Sequence, residues 1–220
     1  MLLLLILAVS LNVSFAEQVQ DAYAQQDAEA LQSLLRRADS RADSLLSRYR
    51  LYPLTEDASL LDNLPKQLDD GSAREHALLS GLWSYRAGEA SIFSAVSYGR
   101  RSANVLETAK KLDPDAPYVL LIEGQSLLFR PAIAGRDADA AADRFDRLAH
   151  MVEHTPSIGI TTTEAQVWEW LALREAGHAE QASTLHKTLL SKSPPPLYRQ
   201  FLDDPDRKST RLNSSHYRTS

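Results

Sequence analysis

There is no cysteine among the 220 residues, so neither a disulfide nor a thiolate nucleophile is available, and stability has to come from packing. Basic residues are also short, 24 against 29 acidic ones. A negative chain is repelled by the phosphates of nucleic acid and by an anionic membrane surface, so neither is expected as the main partner. No segment alternates apolar and polar side chains over strand length, which removes the sheet classes and leaves all-α. Neither a Gly-rich phosphate loop nor a nucleophile elbow occurs. Serines are plentiful, but no Ser, His and Asp can be grouped from the sequence, so the chain reads as non-enzymatic, with no cofactor expected.

What is present begins with the run MLLLLILAVSLNVSFA. It is apolar, shorter than the ~20 residues a spanning helix needs, and closed by Ser14 and Ala16 at the spacing a signal peptidase accepts. Residues 1–16 are therefore expected to be a signal peptide cleaved after Ala16. With no cysteine behind the cut, lipoprotein processing is excluded and a soluble periplasmic protein is expected. At the other end, DRKSTRLNSSH from Asp206 resembles the in-frame translation of a sequencing-library adapter, and residues 206–220 are set aside as non-native. Setting them aside removes four basic residues and one acid and leaves 20 basic and 28 acidic side chains, a net charge of −8.

Residues 17–71 read as N-terminal helices and a connector, and 72–205 as paired helices. A short helix from about Glu17 to Gln25 should pack on a long amphipathic one from Asp27 to Leu51, which Tyr52-Pro53 stops. The acidic stretch from Thr55 to Gly71 reads as a connector with one turn near Leu60 and Leu61. Ser72 and Glu75 have capping-box spacing and open a helix to about Ala87. The next helix, Ser91 to Leu112, should turn Ile92, Ala95, Val96, Val105, Leu106 and Ala109 inward. A helix near Ala116 to Arg130, a break at Pro131 to Arg136 and a helix capped by Asp137 form the central unit. A last pair, Thr163 to Ala176 and Ala179 to Lys192, is joined at Gly177 and ended by Pro194-Pro195-Pro196. Short turns between paired helices predict stacked antiparallel hairpins.

Gly124, Asp137, Ala141 and Phe145 in that central unit resemble the tetratricopeptide-repeat pattern: a small residue where the partner helix crosses, a polar turn, an early alanine and an aromatic four residues on. Gly81, Gly88, Ala109 and Pro114 match more loosely before it, and Gly177, Ala182 and Pro194 after it. The departures are an insert at Arg130 to Ala134 and spacing above ~34 residues between units. The resemblance covers about Ser72 to Pro196 and implies a helical array, a tetratricopeptide-like α-solenoid, that binds a protein or peptide as an adaptor or assembly factor. The Pro131 to Asp137 insert is similar to one in exported bacterial repeat proteins. The T component of tripartite (TRAP-type) periplasmic transporters is a related resemblance, and it implies the alternative of a small-molecule ligand. The adaptor reading predicts a broad polar concave groove; the transporter-like one predicts an enclosed apolar pore.

Polar side chains on the first helix of each pair line the concave face of such arrays, which singles out Arg86, Glu123, Arg130 and Trp168 as partner-binding candidates. Trp168 and Trp170 are two apart on a helix and cannot point the same way, so one of them should be exposed or line a groove. Trp83, Tyr85 and Tyr98 are expected in the core. His150, Glu153 and His154 spell H-x-x-E-H, the ligand spacing of inverted zinc peptidases. No third ligand can be placed, so a solvated helix end is preferred and His150 and His154 are only weak metal candidates. Arg36-Arg37 and Arg100-Arg101 read as surface pairs balancing nearby acids. The loop from Thr155 to Thr163 is a lid or a connector.

Overall fold

Serine, aspartate, threonine and proline decide where the helices begin. A computed structural model describes residues 13–155 and 158–205. Ser14 and Glu17 cap each other at the start of α1 (Phe15–Ala24), and Asp27 accepts from the Ala30 N–H ahead of α2 (Ala28–Arg36). Ser40 does the same from Asp43 ahead of α3 (Arg41–Thr55). The Ser72 and Glu75 capping box opens α4 (Ala73–Glu89) as its spacing predicts, and α5 (Ile92–Leu112) follows. Pro117 fills the first position of α6 (Pro117–Phe129), where no N–H is needed. Asp137 caps α7 (Ala138–His154) and Thr161 caps α8 (Thr162–Glu175). Gly177, at φ +85°, turns the chain into α9 (Ala179–Ser191), and Pro196 opens α10 (Pro196–Asp203). Single turns of 3-10 helix at Ala58–Leu61 and Ala132–Ala134 complete the regular structure of the described residues, all of it helical.

Several expectations are corrected. The helix foreseen from Asp27 to Leu51 is two helices, because Ser40-Arg41-Ala42-Asp43 supplies a new N-cap in the middle of an unbroken apolar period. Pro53 does not stop α3 but lies within it, two residues before the end, where the lost N–H breaks only one helical bond. Gly88 lies within α4. The proline triplet after α9 does not terminate the fold; its last member starts α10, whose Leu197, Tyr198, Phe201 and Leu202 are buried. Val96 faces outward and is 55 % exposed. The apolar run 1–12 and the tail 206–220 lie outside the described residues. Ser14 and Ala16 do not: Ser14 caps α1, and a β-carbon at Gly159 would lie 2.9 Å from Ala16. A cut after Ala16 would remove that cap.

The helices close on themselves in two layers. α1 touches α3, and contacts pass from α3 to α4, α4 to α6, α6 to α8, and α8 to α10, which returns to α1. The remaining helices sit outside this circuit, each across one joint: α2 on α1 and α3, α5 on α4 and α6, α7 on α6 and α8, α9 on α8 and α10. One buried apolar cluster runs from Ala16 to Leu202. Close approach between layers uses the small residue the sequence singled out. A β-carbon at Gly124 would lie 2.6 Å from the Phe145 ring, so α7 seats its aromatic against bare α6 backbone. Gly81 plays the same part for Tyr49, at 2.7 Å, between α4 and α3.

Candidate functional site

The inner helices meet at a buried ion pair. Arg50 of α3, 2 % exposed, donates two hydrogen bonds to the Glu164 carboxylate of α8, at 2.5 and 2.9 Å, and a third to the Gly159 carbonyl at 3.2 Å. Its guanidinium lies over the rings of Tyr23 from α1 (4.7 Å) and Tyr49 (5.5 Å). Tyr49 stacks on Tyr85 of α4 and donates to Gln125 of α6 at 2.6 Å. Tyr118 of α6 donates to the same Gly159 carbonyl at 2.9 Å, and Gln20 of α1 donates to the Tyr198 hydroxyl of α10 at 2.6 Å. Burial pushes the tyrosine hydroxyls up, Tyr49 to about 12, and keeps them neutral. Burial works against the Arg50 charge, but Glu164 and the facing tyrosines outweigh it and hold its pKa well above the usual value.

This centre is filled. An apolar pore running between the inner helices would have to pass where these side chains sit. The end of the Thr155 to Thr163 loop serves as a plug, with Ile160 only 6 % exposed.

The four predicted partner-binding residues are dispersed. Trp168 is 2 % exposed, stacked on Phe145 and close to Phe129 and Phe201, and Trp170 is 5 % exposed against His186. Both tryptophans are core because α8 has helices on several sides; neither lines a groove. Trp83 and Tyr85 are core as expected, and Tyr98 is half-buried. Glu123 bridges Lys110 (2.9 Å) and Arg144 (2.7 Å). Burial raises its pKa, but the two cations win and hold it below the usual carboxylate value. Arg130 donates to the Gly135 carbonyl at 2.7 Å and closes the insert. Arg86 donates to the Leu61 carbonyl and lies over the Tyr98 ring.

His150 is exposed and sits 3.5 Å from Asp146 one turn back. Among the described residues no group of three His, Asp or Glu side chains is arranged to hold a metal ion. The neighbouring carboxylate, Glu169 of α8, is half-buried. Burial first, then the Asp146 charge, raise its pKa from 4.5 to about 7, with His150 pulling the other way. The folded state then binds a proton that the unfolded state has released, so stability should fall as pH rises from about 4.5 to about 7. Glu169→Gln should remove that loss, raising stability at pH 8 by on the order of 1 kcal/mol after solvent screening, with little change at pH 4. Urea denaturation at both pH values measures it.

The open concavity lies on the outer layer. A groove of about 780 Å³ runs along α5 and is walled by residues 66–69. From α5 come Phe93, Val96, Ser97, Arg100, Arg101, Asn104 and Thr108, the three-to-four spacing of one helical face. This face is free because α5 spends its apolar stripe on α4, through Ala95, Val105, Leu106 and Ala109.

The wall is fixed by hydrogen bonds to its flanking backbone. Arg48 reaches the Leu60 (2.6 Å) and Asp62 (2.8 Å) carbonyls, Trp83 the Pro65 carbonyl (3.0 Å), and Arg41 the Asp70 carbonyl (2.8 Å). Arg86 also donates to the Leu61 carbonyl and is not among the residues that line the groove. The Arg101 guanidinium carbon lies over Trp83, 4.6 Å from the ring centre.

Among the described residues neither Arg100 nor Arg101 is in an ion pair with a carboxylate, which corrects the expectation that nearby acids balance them. Arg41 and Arg86 take the connector acids Asp70 and Asp62 instead. The sequence marked neither this groove nor Lys66. What it does carry is the 93-96-97-100-101-104 face, polar and apolar mixed, opposite a regular core stripe.

The chain is thus an all-α protein with a filled centre and an open groove along α5. Compared with protein-family models, characterised proteins and solved structures, it matches none.

Proposed function

We propose that this is a non-enzymatic, tetratricopeptide-like helical protein, exported to the periplasm, that binds a protein or peptide partner along the α5 groove. The observation that carries the reading is an open groove with fixed walls and unspent side chains on one face of α5. Phe93 is 93 % exposed there, with Val96, 55 % exposed, one turn further along the same face. The Gly124 and Phe145 contact supports the repeat resemblance, since it is the small-against-aromatic crossing that the pattern describes. The four residues expected on a concave face are engaged elsewhere, Arg86 with Leu61, Glu123 with Lys110 and Arg144, Arg130 with Gly135 and Trp168 with Phe145, so the partner surface is assigned to the outer layer. A small-molecule role of the transporter-associated kind fits less well, because the centre of the helices holds Arg50, Glu164 and tyrosines.

Site-specific photocrosslinking in cells tests the reading. A photoreactive residue at Ser97, in the groove, should give a discrete, saturable adduct with a partner protein; one at the exposed Glu180 of α9 should not. No adduct at Ser97, together with a small molecule co-purifying with the protein, would replace the adaptor by the transporter-like reading.

A further inference from the structure

The groove carries a charge pattern at odds with the rest of the molecule. The chain is net negative, −5 overall, yet Lys66, Arg100 and Arg101 converge on one concavity that Asp69 alone opposes. Like charges gathered without partners cost free energy unless something outside supplies the counter-charge. Arg101 is also arranged to receive it. Held over Trp83 at 4.6 Å, its guanidinium has less freedom to lose on binding, and no carboxylate among the described residues pairs with it. A planar fork held that way suits a carboxylate, which it can engage with two parallel hydrogen bonds. Beside these cations the groove exposes Phe93 and Val96, at 93 % and 55 %.

From these observations, and resting on the partner-binding reading above, we infer that the α5 groove binds an acidic segment of a partner protein that also carries an apolar anchor residue. The carboxylates meet Lys66, Arg100 and Arg101; the apolar side chain covers Phe93 and Val96. Residues 93 to 108 of a helix span about 22 Å, room for about seven residues of extended chain. A long polyanion is disfavoured: nucleic acid or an anionic bilayer would extend past the groove over a molecule that is net negative, whereas a short acidic segment is confined to the groove.

Selection from a random peptide display library on the whole protein, followed by fluorescence anisotropy of the enriched peptides, tests this. The expected peptides are rich in Asp and Glu with one large apolar residue. Their binding should weaken with added salt and fall at least about tenfold on Arg100→Glu/Arg101→Glu. If that variant unfolds, Lys66→Glu, on the exposed wall, should give a smaller loss in the same direction. Enriched peptides that are neutral or basic, bound equally by the charge-reversed protein but lost on Phe93→Ser, would overturn the acidic occupant and leave the peptide-binding reading standing. Equal or tighter binding of phosphatidylglycerol vesicles or single-stranded DNA would overturn it in favour of a polyanion. No enrichment over the charge-reversed protein would overturn both.

Discussion

Glu164→Leu should cost about 3–5 kcal/mol of stability, because it leaves the Arg50 guanidinium, 2 % exposed, charged and unpaired among tyrosines. The cost comes from the stranded charge more than from the pair itself. A buried pair gains Coulomb energy but gives up the hydration of both ions, so removing both together is far milder than removing one. Arg50→Met/Glu164→Leu should therefore recover much of the loss. Urea midpoints of the wild type, both single variants and the double variant form the cycle, and a coupling of 2 kcal/mol or more is expected. The location explains the size of the effect. Arg50 joins α3 to α8 and, through Gly159 and the tyrosines, brings α1, α4 and α6 to the same point. Single losses within about 0.5 kcal/mol would mean that the inner circuit is held by apolar packing alone.

The second large effect is expected at the crossing of α6 and α7. Phe145→Ala empties the space between Gly124 and Trp168 and should cost about 3–5 kcal/mol. Gly124→Val has the opposite fault: its β-carbon would enter a ring 2.6 Å away that Trp168 backs from behind, and overpacking of this kind costs about 1–3 kcal/mol. The pair is non-additive by construction. Gly124→Val/Phe145→Ala should be more stable than Phe145→Ala alone, since valine refills part of the cavity. Thermal unfolding of the three variants measures this, and simple additivity would show that the two positions do not share one space.

These two sites differ in how much of them could be read beforehand. Gly124 and Phe145 belong to a local pattern, twenty-one residues apart, and the small-against-large crossing follows from helix packing. The caps at Asp27, Ser72 and Asp137 were legible for a similar reason, since each acts within three residues of itself. Arg50 and Glu164 are 114 residues apart, and a lone arginine in a helix carries no mark of the acid it will meet. The break at Ser40 was hidden because the apolar period runs through it unchanged; only the Ser-x-x-Asp spacing records it. The helix α10 was missed because three prolines read as an ending, although the last one is a favourable first residue for a helix.

The groove was the least legible feature. Adjacent arginines in a chain rich in acids look balanced, and whether they are depends on where the acids point. Here two connector acids, Asp70 and Asp62, pair with Arg41 and Arg86, and only Asp69 faces Arg100 and Arg101 in the groove. The aromatic positions show the same limit. The spacing of two tryptophans two residues apart predicts that one is exposed or lines a groove, but a helix flanked by α6, α7, α9 and α10 buries both.

The filled centre and the groove of the proposed function are separated most directly by one comparison. The yield of the Ser97 photocrosslinked adduct should be measured for the wild type, for Arg100→Glu/Arg101→Glu and for Arg50→Met/Glu164→Leu, with each protein's unfolding midpoint alongside. Charge reversal should abolish the adduct while costing no more stability than the lost Arg101 and Trp83 contact, whereas the core double variant should keep the adduct at whatever midpoint it retains. An adduct that survives charge reversal in a folded protein would contradict the proposed function and place the partner elsewhere.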